Sequence, residues 1–167
     1  MTCSCGKKAE ISLSYEQETI CSNCFLTRIE KRVRKEIREL DLGSWKKVAV
    51  VDVGAASVPL AVHFIETIFE QRIPVEVCKE SSEQSITPLS ADRVGATLLD
   101  SFLENSSAKE WNHPFMISLS EEEIQKACTV LTLEKRELFV GKEMQQSMEK
   151  EQPGSVFGLR KSWEFLQ

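Results

Sequence analysis

A chain of 167 residues, 41% hydrophobic and 28% charged, has the make-up of one folded domain of ordinary size with a small appendage. No apolar run is long enough to span a bilayer and nothing at the start resembles a signal peptide, so the sequence excludes a helical membrane protein and predicts a cytoplasmic one. The net charge of −5 is uneven: residues 1–47 carry 10 Lys and Arg against 7 Asp and Glu, a balance of +3, and a polyanion meets this part first.

Four of the six cysteines fall in the first 24 residues, as Cys3-Ser4-Cys5 and Cys21-Ser22-Asn23-Cys24. A thiolate pair on each side of a fifteen-residue loop offers four soft ligands to one tetrahedral ion. The spacing predicts a zinc knuckle over residues 1–26, with Cys3, Cys5, Cys21 and Cys24 as ligands and Gly6 easing the tight one-residue bite. A disulfide framework or an iron-sulfur centre is the competing reading, and the isolation of Cys78 and Cys128 speaks against the framework. Ile11, Leu13, Tyr15 and Ile20 are the larger apolar residues between the pairs, too few for a core of their own. The metal is therefore expected to hold the knuckle, with on the order of 10 kcal/mol.

Across residues 25–42, Leu26, Ile29, Val33, Ile37 and Leu40 recur every three or four positions and predict an amphipathic helix, the main part of a basic linker over residues 27–44. Its outer face carries Lys31, Arg32, Arg34, Lys35 and Arg38, a spacing that reaches successive phosphates of a nucleic acid. The alternative is a solvated helix stabilised by pairs such as Glu30 with Arg34. Gly43, with its left-handed freedom, is expected to end the helix.

Residues 45–167 read as an α/β domain. A strand over 47–53, a turn at 54–57, a helix over 57–71 that is apolar almost all round and a strand over 73–78 open a parallel sheet. The turn is poorly equipped for a polyphosphate, with one glycine (Gly54), no Lys or Arg, and Asp52 at its entrance. An extended segment at 85–89, a helix over 90–103 and a polar break at 104–108 follow. A strand over 115–119 then feeds a helix announced by a capping box (Ser120, Glu123) and a hydrophobic staple (Leu119, Ile124). Residues 131–140 are ambiguous, 142–150 read as a polar helix, and Pro153-Gly154 introduces a last helix. Cys78 and Cys128 read as small buried apolar groups, His63 and Trp45 as packing residues, and His113 as a loop residue.

Together these residues resemble the N-type ATP pyrophosphatase (PP-loop) family that thiolates tRNA, the cytoplasmic wobble-uridine 2-thiolation proteins and their archaeal relatives. Members begin with a cysteine-rich knuckle, then Cys-Phe and a helix like Glu30-Lys31-Arg32-Val33-Arg34-Lys35-Glu36-Ile37-Arg38. Ile86-Thr87-Pro88-Leu89-Ser90-Ala91-Asp92 is similar to a later family segment, and Pro153-Gly154-Ser155-Val156-Phe157-Gly158-Leu159-Arg160-Lys161-Ser162 to its closing motif. The phosphate loop departs from the family's Ser-Gly-Gly-Lys-Asp-Ser pattern: Asp52-Val53-Gly54-Ala55-Ala56-Ser57 keeps the second glycine and last serine but loses the lysine. The paired central cysteines of active members are missing, and the stretch between Cys78 and Ile86 is short.

The resemblance then implies a shortened, catalytically degenerate paralogue, like the second subunit of the eukaryotic cytoplasmic thiolation complex. On that footing the chain is expected to be a pseudoenzyme with structural zinc and neither ATP nor an iron-sulfur cluster. Its implied partners are tRNA, a catalytic thiolase paralogue or a second copy of itself, and the family's ubiquitin-like sulfur carrier. A zinc-dependent scaffold or homodimer without RNA binding is the alternative.

Overall fold

The computed structural model describes residues 1–104 and 111–136, without the side chains of 98–104. The N-terminal loop between the cysteine pairs is a hairpin in which β1 (Ile11–Ser12) pairs antiparallel with β2 (Thr19–Ile20), Ile11 opposite Ile20. Strands of two residues leave no alternation to read in the sequence. Helix α1 (Ser22–Glu39) begins earlier than its apolar stripe, because Cys21 serves as its N-cap and accepts from the Cys24 N–H. Phe25, Ile29, Val33 and Ile37 are buried along one face, while Leu26 and Leu40 flank it half-buried. The helix ends at Leu40, and the left-handed residue is Asp41 (φ 51°) rather than Gly43, which lies within the 3-10 turn Leu42–Ser44. Aspartate is among the few non-glycine residues that enter this region readily.

Four strands then form one parallel sheet in the order β4-β3-β5-β6, with β3 at Val48–Val51, β4 at Val75–Cys78, β5 at Ser85–Pro88 and β6 at Pro114–Phe115. The interior strands β3 and β5 are buried at almost every position, which is why they read as continuous apolar or small-residue runs. Helices α2 (Ser57–Ile68), α3 (Ala91–Glu104) and α4 (Glu121–Val130) follow β3, β5 and β6. The architecture is α/β with a parallel sheet behind an N-terminal cysteine cluster, as expected. With β4 on one side of β3 and β5 on the other, loop 52–57 leaves the sheet where the strand order reverses, the usual mouth of such folds.

Strand β6 is shorter than expected because Met116 takes a left-handed turn (φ 67°) directly after Phe115. The buried carboxylate of Glu36 holds that turn, accepting from the Met116 N–H (2.5 Å) and the Ser118 N–H (2.9 Å). Helix α4 opens as the sequence predicts: Ser120 Oγ accepts from the Glu123 N–H (3.1 Å), Glu123 accepts from the Ser120 N–H (2.9 Å), and Leu119 and Ile124 are both buried.

One core crosses the expected boundaries at 26/27 and 44/45. Ile11, Leu13 and Ile20 of the hairpin join Phe25, Ile29 and Val33 of α1 and Val48, Leu60 and Ile124 beyond it. Polar ties reinforce the packing: Ser14 donates to Glu122 from both N–H and hydroxyl, and Lys126 donates to the Ser12 carbonyl. The few apolar residues of the knuckle thus share a larger core, a support the sequence does not show. No helix among the described residues is long and apolar enough to cross a membrane. The polar helix at 142–150, the closing motif at 153–162 and Trp163 lie outside the described residues.

Candidate metal centre, basic helix and strand-end loop

The cysteine cluster is assembled by two backbone devices. Near the N-terminus the Cys3 N–H donates to the Lys7 carbonyl (2.9 Å), the Gly6 N–H donates to the Cys3 carbonyl (2.8 Å), and Gly6 takes φ +84°, which folds the one-residue-spaced pair back on itself. On the other side Cys21 caps α1 and Cys24 stands in its first turn. The four sulfurs lie within 4.8 Å of one another, Cys5 and Cys21 at 3.5 Å, and none is in a disulfide. A single ion with bonds of ~2.3 Å sets tetrahedral sulfurs ~3.8 Å apart, so the site needs only a small contraction to close.

The thiols are not equivalent. Backbone N–H groups of Cys5 and Cys21 turned toward Cys3 pull its thiol down to about 6, and the Cys24 N–H lowers Cys21. Cys24 is pushed up to about 12, because its proton is held between the sulfurs of Cys5, Cys21 and Cys3. Cys3 and Cys21 thus ionise before Cys24. A four-thiolate donor set of this kind suits zinc and iron alike.

Of the five basic residues singled out in the sequence, four are exposed on α1: Lys31, Arg34, Lys35 and Arg38. Arg34 pairs with Glu30 (2.7 Å) and Lys35 with Glu39 (3.4 Å). Arg32 is a correction, for its guanidinium turns inward onto the buried Glu123 carboxylate and also donates to the Ser118 carbonyl (3.1 Å). It faces α4 because position 32 lies next to the buried stripe through Ile29 and Val33. The phenol of Tyr15, pushed up by burial and by the Glu123 charge, belongs to the same network.

At loop 52–57, Gly54 takes φ +71° and its N–H donates to Asp52 Oδ1 (2.9 Å). The Ser57 hydroxyl is buried and donates to the Pro88 carbonyl (2.8 Å), so it ties α2 to the end of β5. Arg136 Nη1 reaches Asp52 Oδ1 at 2.7 Å while its Nη2 lies 3.2 Å from Glu134, so its charge is shared between two carboxylates. Nothing local in the sequence signals this pairing, since the two residues are 84 positions apart. Cys128 is buried, its Sγ donating to the Ala56 carbonyl (3.4 Å), and burial followed by the Glu121 charge raises its thiol to about 11. Cys78 is half-buried at the end of β4, with Sγ 3.1 Å from the Glu80 carbonyl. Trp45 packs edge-on against His113 at 5.1 Å, the packing role expected of it.

No family model matches the chain, and no curated protein sequence matches it. Solved structures do match. Among them is the U34-tRNA thiolase NcsA from Methanococcus maripaludis with its 4Fe-4S cluster, at a TM-score of 0.74 and 14% identity, covering 99% of this chain and 87% of that chain. At this identity the likeness establishes a shared fold.

Two sequence-based expectations are corrected by that finding. The pseudoenzyme reading is set aside, because the solved structure that shares this fold over 99% of the chain is a thiolase. The exclusion of an iron-sulfur cluster is also set aside, because the similar structure carries one and this chain gathers four cysteine thiols.

Proposed function

We propose that this chain takes part in the 2-thiolation of wobble uridine in tRNA and holds tRNA along α1. The observation that carries the reading is the junction at Cys21, which is at once a candidate metal ligand and the N-cap of the helix bearing Lys31, Arg34, Lys35 and Arg38. A metal held by Cys3, Cys5, Cys21 and Cys24 would cross-link the hairpin to the helix start. The protein side of that arrangement is fixed from below, since Glu36 and Arg32 bolt the inner face of α1 to α4 and the turn before it. The outer face is left for phosphates, each contact adding to a salt-dependent affinity. The fold shared with a U34-tRNA thiolase supports the substrate class.

The partners this reading names are cytoplasmic tRNA and, as the family resemblance implies, a thiolase of the same kind. Purification of the tagged chain from its native cells at low salt tests it, with sequencing of bound RNA, identification of bound proteins and metal analysis of the same sample. Recovery of tRNA is expected, together with zinc or iron in proportion to the chain. A chain recovered without RNA contradicts the reading.

A further inference from the structure

We infer that the cleft between α1 and the C-terminal end of α2 receives one unstacked nucleotide of a single-stranded RNA segment, its base against Phe69 and its flanking phosphates on Lys31 and Arg38. The inference rests on the RNA-binding reading of α1 and names the part of the RNA that the helix engages. The cleft has a volume of about 560 Å³, within the range of about 300–1,000 Å³ typical of pockets for single small ligands. Ile37, Ile68 and Phe69 form its apolar lining, and Lys31, Arg34 and Arg38 contribute the charge. An aromatic surface beside a track of cations is the combination by which proteins hold unpaired bases.

The cations are not equally committed. Arg34 is paired with Glu30, whereas Lys31 and Arg38 have no carboxylate partner among the described residues. They stand seven positions apart on the helix, about 10 Å along the axis, enough to meet the phosphates on either side of one nucleotide. Glu30 also lines the cleft. Its carboxylate is paired with Arg34 and remains able to accept from the N–H edge of a base.

The test uses the full metal-loaded chain and a single-stranded oligoribonucleotide carrying 5-iodouridine, crosslinked by light and mapped by peptide mass spectrometry. Crosslinks are expected at Phe69. Phe69→Leu, which keeps an apolar side chain of similar reach, is expected to weaken binding about five- to tenfold with unchanged salt dependence. The double variant Lys31→Ala with Arg38→Ala is expected to flatten the slope of log K against log salt by roughly 1.4. Crosslinks elsewhere with Phe69→Leu unaffected overturn the cleft while leaving RNA binding by α1 intact. No RNA binding by the wild-type chain overturns both. Tighter binding of a Glu/Leu-rich peptide that displaces the oligonucleotide assigns the cleft to a peptide and overturns the nucleotide.

Discussion

Lys31 and Arg32 are adjacent in the chain and equally basic, yet the fold gives them opposite tasks. Lys31 stands in solvent, while Arg32 neutralises Glu123, whose side chain is 1% exposed. Removing one partner of a buried pair leaves the other charge uncompensated, so Arg32→Met is expected to lower stability by about 3 kcal/mol in urea unfolding. Lys31→Ala is expected to stay within about 0.5 kcal/mol and to weaken tRNA binding instead. Charge and spacing reveal that α1 is basic, but which cation turns inward depends on a carboxylate 91 positions away. Cys3 gives the pH counterpart. Its thiol in the folded metal-free chain sits near 6, lowered first by the Cys5 backbone N–H, well below its ordinary value of 9.0. Stabilisation from the thiolate is thus complete above pH 9 and is lost as pH falls through 6. Hydrogen exchange of residues 1–10 in the metal-free chain should speed up across that window, after correction for the intrinsic pH dependence, and Cys3→Ser should remove the effect.

At the scale of elements, the hairpin and α4 show two ways in which sequence encodes structure. The capping box and staple of α4 are local, so they were legible from Ser120, Glu123, Leu119 and Ile124 alone. Ser120→Ala is expected to cost about 1 kcal/mol, read as a lowered urea midpoint. The hairpin is encoded by partners far away: Ile11, Leu13 and Ile20 pack in the common core, and Ser14 is held by Glu122. Its two strands and the left-handed exit at Asp41 therefore escaped a reading based on periodicity and glycine. The same packing sets what metal removal does. Chelation is expected to raise hydrogen exchange sharply at Cys3, Cys5 and the start of α1, with β3 and β5 keeping their protection. Collapse of the whole chain on chelation would mean that the metal, and not the shared core, holds the hairpin.

For the molecule as a whole, the parallel sheet, the cysteine cluster and the basic helix were all legible, because buried strands, paired thiols and amphipathic stripes leave short-range patterns. The links between these parts were not. Glu36 reaches the turn after β6, Arg32 reaches α4, and Arg136 reaches Asp52 at the mouth of the sheet. These long-range contacts make one body of segments that read as separate, and the last of them neutralises the Asp52 carboxylate at the entrance of the loop. Wobble-uridine 2-thiolation is the claim on which the account turns, and nucleoside mass spectrometry of tRNA from native cells with and without the gene tests it most directly. A marked fall in 2-thiouridine is expected, restored by the wild-type chain but not by one in which Lys31, Arg34, Lys35 and Arg38 are all changed to Glu. Thiolation that is unchanged without the gene would contradict the account.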